Sequence, residues 1–142
     1  MNYFNVLVVD DEEDFLETLV NRLNMRKINA KGIKSGEEAI EYIKEMPVDV
    51  VIMDIKMPGG MDGIEALREI KKLQPICEVL LLTGHGSMET SIEGMKLGAF
   101  DYLLKPVKIE DILPKLAEAF EKKDTQDQKI KSAQIKKLFR YS

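Results

Sequence analysis

Histidine and cysteine each occur once in this 142-residue chain, as His85 and Cys77, and that scarcity removes whole classes of chemistry. A lone cysteine cannot close a disulfide within the chain, and neither a CxxC pair nor a Cys/His spacing for zinc is present. His85, without partner ligands, does not make a metal site. Long apolar runs are missing too. Val6 to Val9 has no basic stretch before it and ends at Asp10, so neither a signal peptide nor a membrane span fits, and a reducing, cytoplasmic location is expected. The sequence also contains no GxxxxGK[ST] phosphate loop and no helix-turn-helix pattern.

What remains is the composition of a globular protein, 44% hydrophobic and 32% charged, with a length that suits one domain. The net charge of -4 is unevenly spread. Residues 121 to 142 hold seven Lys/Arg against three Asp/Glu, so the tail is +4 and the body -8. An acidic body argues against nucleic acid as its direct ligand.

Two hydrophobic periods alternate along the body. Apolar runs of strand length occur at Phe4 to Val9, Val48 to Met53 and Val79 to Leu82, with weaker candidates at Ile28 to Ile33 and Asp101 to Leu104. Runs without polar alternation suit strands buried on both faces of a parallel sheet. Between them lie helical stripes: Phe15, Leu16, Leu19, Val20, Leu23; then Ala39, Ile40, Ile43; then Ile64, Leu67, Ile70. Ser35 with Glu38 forms a capping-box pair, and Ser87 is expected to open a fourth helix that runs to Leu97 and stops at Gly98. A fifth helix begins near Ile109. Five strands alternating with five helices define a doubly wound α/β fold.

Ligands in such folds bind at the carboxyl ends of the strands. Asp10 and Asp11 end the first strand, Asp54 the third, Thr83 the fourth and Lys105 the fifth. Carboxylates about 4 to 5 Å apart repel by about 3 to 4 kcal/mol at an effective dielectric near 20, so the cluster calls for a cation. Hard oxygen donors in an incomplete cage suit Mg²⁺. A carboxylate held beside such a cation can attack phosphorus. Asp54 would then carry an acyl phosphate, Lys105 would contact its oxygens, and the Thr83 hydroxyl would gain a new acceptor.

The stretches "VLVVDDEEDF", "VVIMDIKMPGGMDGIEAL" and "VLLLTGHGSMETSIEGMKLGAFDYLLKP", at this spacing, resemble the receiver domain of bacterial two-component response regulators, over residues 3 to 121. The resemblance implies a flavodoxin-like fold of strand order 2-1-3-4-5. It also implies that Asp54 is the phosphoacceptor for a histidine kinase or phosphotransfer protein. Asp11 matches the direct metal ligand, Asp10 the acidic neighbour acting through water, and Lys56 a backbone carbonyl ligand. Thr83 and Lys105 match the switch hydroxyl and the phosphate-binding lysine. Pro106 matches a proline usually preceded by a cis peptide bond. Tyr102 matches the aromatic that turns inward on activation, and the fourth helix, fifth strand and fifth helix match the output face toward a downstream effector. Such a domain is not an enzyme beyond its own autophosphorylation and autodephosphorylation. Gly84 leaves room beside the phosphoryl group, and His85 stands where the family tunes access of hydrolytic water.

"PGGM" departs from the family pattern by one inserted glycine, so the loop after Asp54 is expected to be longer or more mobile. Met53, Met57 and Met61 are expected to pack beneath it, and Cys77 to be a small buried residue at the start of a strand. A haloacid-dehalogenase-type phosphatase would need a second aspartate two residues after Asp54, where Lys56 stands. The motifs are also similar to receivers preceding the ATPase domains of enhancer-binding activators, so the chain could be a fragment of a longer DNA-binding transcription regulator. Residues 122 to 142 are read as a basic helical extension or linker. That segment is an extension of the fifth helix fraying into solvent, a partner-binding helix, a contact with the acidic body of a second copy in a homodimer, or the start of a linker to an output domain.

Overall fold

A computed structural model describes residues 4–84 and 88–140. Its elements alternate in chain order: β1 (Asn5–Val9), α1 (Glu13–Met25), β2 (Asn29–Ile33), α2 (Gly36–Glu45), β3 (Val50–Asp54), α3 (Gly63–Leu73), β4 (Glu78–Thr83), α4 (Met88–Lys96), β5 (Asp101–Leu104) and α5 (Ile109–Arg140). All neighbouring strands are parallel, in the order β2-β1-β3-β4-β5. The doubly wound, flavodoxin-like sheet expected from the sequence is the one observed.

Alternate residues of the central strands feed two cores. Leu7, Val9, Val51, Met53, Val79 and Leu81 face α2, α3 and α4, while Val6, Val8, Val50, Ile52, Leu80 and Leu82 face α1 and α5. Both faces are covered, which is why these strands read as unbroken apolar runs. Each such side chain, fully buried, contributes about 1.5–3 kcal/mol of transfer free energy. β2 and β5 are sheet edges, and their exposed or half-buried positions account for their weaker sequence signal.

The helix starts are chemically marked. Ser35 Oγ accepts from Glu38 N at α2, and Asp62 and Glu65 form a reciprocal capping box at α3. α4 ends at Lys96, one residue short of expectation, with Gly98 at φ +105° after it. Ser87, expected to open α4, and His85 lie outside the described residues.

α5 continues unbroken from Ile109 to Arg140 with Pro114 near its start. Its middle is fastened to the amino ends of the central strands. Lys123 Nζ lies 2.8 Å from Asp49 Oδ1, and Lys122 Nζ lies 3.4 Å from Oε2 of buried Glu78. Beyond that point Ile130, Ile135, Leu138 and Phe139 are exposed.

Candidate functional site

Three strand ends meet at the carboxyl edge of the sheet. Val9 and Met53 are in register on β1 and β3, and Asp54 pairs with Leu82 on β4, so Asp10, Asp54 and Thr83 emerge side by side. Asp10 is fully buried and Asp54 is 5% exposed. Glu12 N donates to Asp10 Oδ1 at 2.9 Å, and Asp10 N donates to Ile33 O at 3.1 Å. Both bonds hold the turn out of β1.

Lys105, which follows β5 and precedes a cis bond to Pro106, crosses to this group. Its Nζ donates to Asp10 Oδ2 at 2.8 Å and to Glu12 Oε1 at 3.3 Å, and stands 3.5 Å from Asp54 Oδ2. The same ammonium lies 4.7 Å from the centre of the Phe15 ring. Burial disfavours the charge on Lys105, but the hydrogen bond to Asp10 and the fields of Asp10, Asp54 and Glu12 outweigh it and hold its pKa above the usual lysine value. For Asp54, burial is the largest cause, followed by the Asp10 charge; Lys105 opposes both, and the carboxyl is pushed up to about 6.

Carboxylate oxygens of Asp10, Glu12 and Asp54 lie within 4.8 Å of one another. Three hard anionic oxygens so close are a donor set that fits Mg²⁺. Glu12 was not anticipated as a member. It stands in the acidic run "DDEED", where nothing local distinguishes it from its neighbours. Asp11 is exposed and outside that group, close enough for its charge to raise the Asp54 pKa further. It lines a cavity of about 310 Å³ with Lys34, Ser35, Glu37, Glu38 and residues 57 to 61.

Thr83 is buried, and its hydroxyl donates to Gly84 O at 3.3 Å. Lys105 N donates to Thr83 O at 2.7 Å, coupling β5 to β4 just below the cluster. Tyr102 is half-buried and its hydroxyl donates to Met88 Sδ at 3.8 Å. The Lys56 side chain is exposed, whereas Met53 and Met57 are buried and Met61 packs partly buried on the core. Cys77 is buried just before β4, as expected.

The loop after Asp54 returns to its own origin. Gly63 N donates to Ile55 O at 2.9 Å, and a Cβ on Gly63 would lie 2.2 Å from Asp54 O, so only glycine lets α3 start against that carbonyl. Gly59 has φ +92°, which accounts for one of the two loop glycines.

The sequence pattern described as "Response regulator receiver domain" matches residues 6–117. A putative NtrX-like response regulator of Rickettsia bellii is 37% identical over 85% of this chain and 26% of its own length. The transcriptional regulatory protein ZraR of Escherichia coli K12 is 38% identical over 81% of this chain and 26% of its own. The crystal structure of a response regulator receiver domain protein from Clostridium thermocellum superposes with a TM-score of 0.82 at 36% identity, covering 87% of this chain and 98% of that one. The chain thus belongs to the response regulator receiver family, whose members are signalling domains of two-component systems that bind Mg²⁺ at an acidic pocket. It spans about a quarter of the length of the curated relatives it matches. Among the described residues no helix is long and apolar enough to cross a membrane.

Proposed function

We propose that the chain is a phosphorylation-dependent cytoplasmic switch that accepts a phosphoryl group on Asp54 from a histidine kinase or phosphotransfer protein. The observation that carries this reading is the placement of a buried carboxylate at the carboxyl edge of the sheet, 3.5 Å from the Lys105 ammonium and within a three-carboxylate group. With its pKa near 6, Asp54 is predominantly ionised at pH 7 and can act as a nucleophile.

An Asp54 oxygen attacks phosphorus in line as the P–N bond of the phosphoimidazole breaks. The departing electron pair goes to the imidazole nitrogen, which takes its proton from solvent. Asp10, Asp11, Asp54 and the Lys56 carbonyl would hold Mg²⁺, with Glu12 beside them. Bound there, Mg²⁺ supplies neutralising charge for the phosphoryl oxygens. Lys105 exchanges one of its carboxylate contacts for a phosphoryl oxygen, and Thr83 turns its hydroxyl from Gly84 O to another. Beyond accepting that group, the arrangement supports autophosphorylation from small donors and autodephosphorylation.

Movement of Thr83 frees space behind β4. Tyr102 turns inward and gives up Met88, changing the α4-β5-α5 face, on which Met88, Ile92, Met95 and Leu104 are exposed. A downstream effector or a second copy reads that face. The short share of the relatives' length favours a second reading for the whole protein: this chain is the receiver part of a longer DNA-binding regulator, and residues 122 to 142 are its helical connector.

Incubation with acetyl phosphate and Mg²⁺ tests the reading. Intact-mass spectrometry should find one hydroxylamine-labile phosphoryl group, absent without the metal and absent in Asp54→Asn. A variant without Asp54 that is still modified to the same extent overturns the assignment.

A further inference from the structure

We propose that Glu37, on α2, is a positioning residue for the Asp54 site, acting through the loop that carries Lys56. The proposal rests on Asp54 as phosphoacceptor but concerns a different element. Glu37 Oε2 accepts from Met61 N at 3.2 Å, a bond between residues 24 positions apart in sequence. A Cβ on Gly60 would lie 2.7 Å from that same oxygen, so the second loop glycine provides the clearance through which the carboxylate reaches the backbone. Met61 completes the seat: its Cγ and Sδ lie 3.5 Å from the position of a Cβ on Gly36, at the first turn of α2.

The loop from Ile55 to Asp62 is therefore held at three places. Gly63 N to Ile55 O closes its base, and the Asp62–Glu65 box fixes its exit. Among the described residues, Glu37 supplies the hydrogen bond that ties the loop's tip to α2, beside the packing of Met57 and Met61 on the core. Gly60, lacking a side chain, leaves the room this tether needs. With the first two contacts intact and the third removed, the fold stands but the path of residues 56 to 61 is free to vary. The Lys56 carbonyl, two residues after Asp54, lies on that path. A group that orients a metal ligand from outside commonly changes affinity about tenfold when removed.

The test is an amide NMR titration with Mg²⁺ alone, which reads the site without any phosphoryl transfer. Glu37→Ala should raise the Mg²⁺ Kd about tenfold, with the melting temperature unchanged because Glu37 is exposed. Glu37→Gln keeps a carbonyl acceptor for Met61 N and removes the charge; it should bind within about twofold of the wild type. An unchanged Kd in Glu37→Ala overturns the proposal, and so does an equal loss in both variants, which would assign the effect to charge. A wild-type chain that binds Mg²⁺ but takes no phosphoryl group from acetyl phosphate would instead defeat the Asp54 reading and leave the Glu37 result standing.

Discussion

Lys105 Nζ sits 2.8 Å from Oδ2 of Asp10, a carboxylate with no solvent exposure. Among the described residues, Asp10 keeps only the backbone donor of Glu12 when that ammonium is lost. Lys105→Met should therefore destabilise the metal-free protein by about 2–4 kcal/mol, since one charge of a buried pair is left behind. Urea unfolding without Mg²⁺ measures it, and adding Mg²⁺ should recover part of the loss.

Asp54 has the opposite sign. Its folded-state pKa of about 6 lies above the ordinary aspartate value of 3.8, chiefly through burial, so the folded chain binds this proton more tightly than the unfolded one. Its contribution to stability is fully present below pH 4 and is lost as pH rises through 6. Asp54→Asn should thus stabilise the metal-free protein at pH 7 by about 1–2 kcal/mol, allowing for solvent screening. Thermal melts at pH 4 should show the gain largely gone.

Cys77 should be silent in the native state. Burial pushes its thiol up to about 12, leaving almost no thiolate at pH 8. A disulfide reagent such as DTNB should label the folded protein only at the rate of global opening, and label it fully in denaturing urea. Fast labelling under native conditions would contradict the packing around β4.

Glu78 and Lys122 should be energetically coupled. Among the described residues Glu78 Oε2 is buried with no hydrogen-bond partner, and Lys122 Nζ stands 3.4 Å from it. Lys122→Ala should cost about 1 kcal/mol, discounted for the exposure of the lysine, and much less when Glu78→Gln is already present. A double-mutant cycle by urea unfolding gives the coupling directly.

Much of this was legible from hydrophobic runs and the residues that end them. β1, β3 and β4 are buried on both faces, so each announces itself, and the carboxyl-end rule then puts Asp10, Asp54, Thr83 and Lys105 together. Less could be read where tertiary approach decides. Glu12 joins the cluster because the turn after Asp10 folds back on Asp10 Oδ1. The Asp62–Glu65 capping box was hidden in a stretch that read as a turn leaving Asp54. The inserted glycine suggested a freer loop, and the tether found there depends on Glu37, which no local pattern connects to Met61. The tail read as a helical extension of the fifth helix or a linker, with its role open, and α5 runs continuously to Arg140.

That continuity gives the molecule a lever. α5 starts shortly after the cis Lys105–Pro106 bond at the carboxyl edge of the sheet, is pinned at Lys122 and Lys123 to the opposite end of the sheet, and carries on for about 25 Å at 1.5 Å per residue. With the pins as fulcrum, a tilt of about 10° in the lower arm sweeps Arg140 through roughly 4 Å, on the scale of one helical turn. A small tilt of α5 at its pinned middle would thus be enlarged several-fold at its far end.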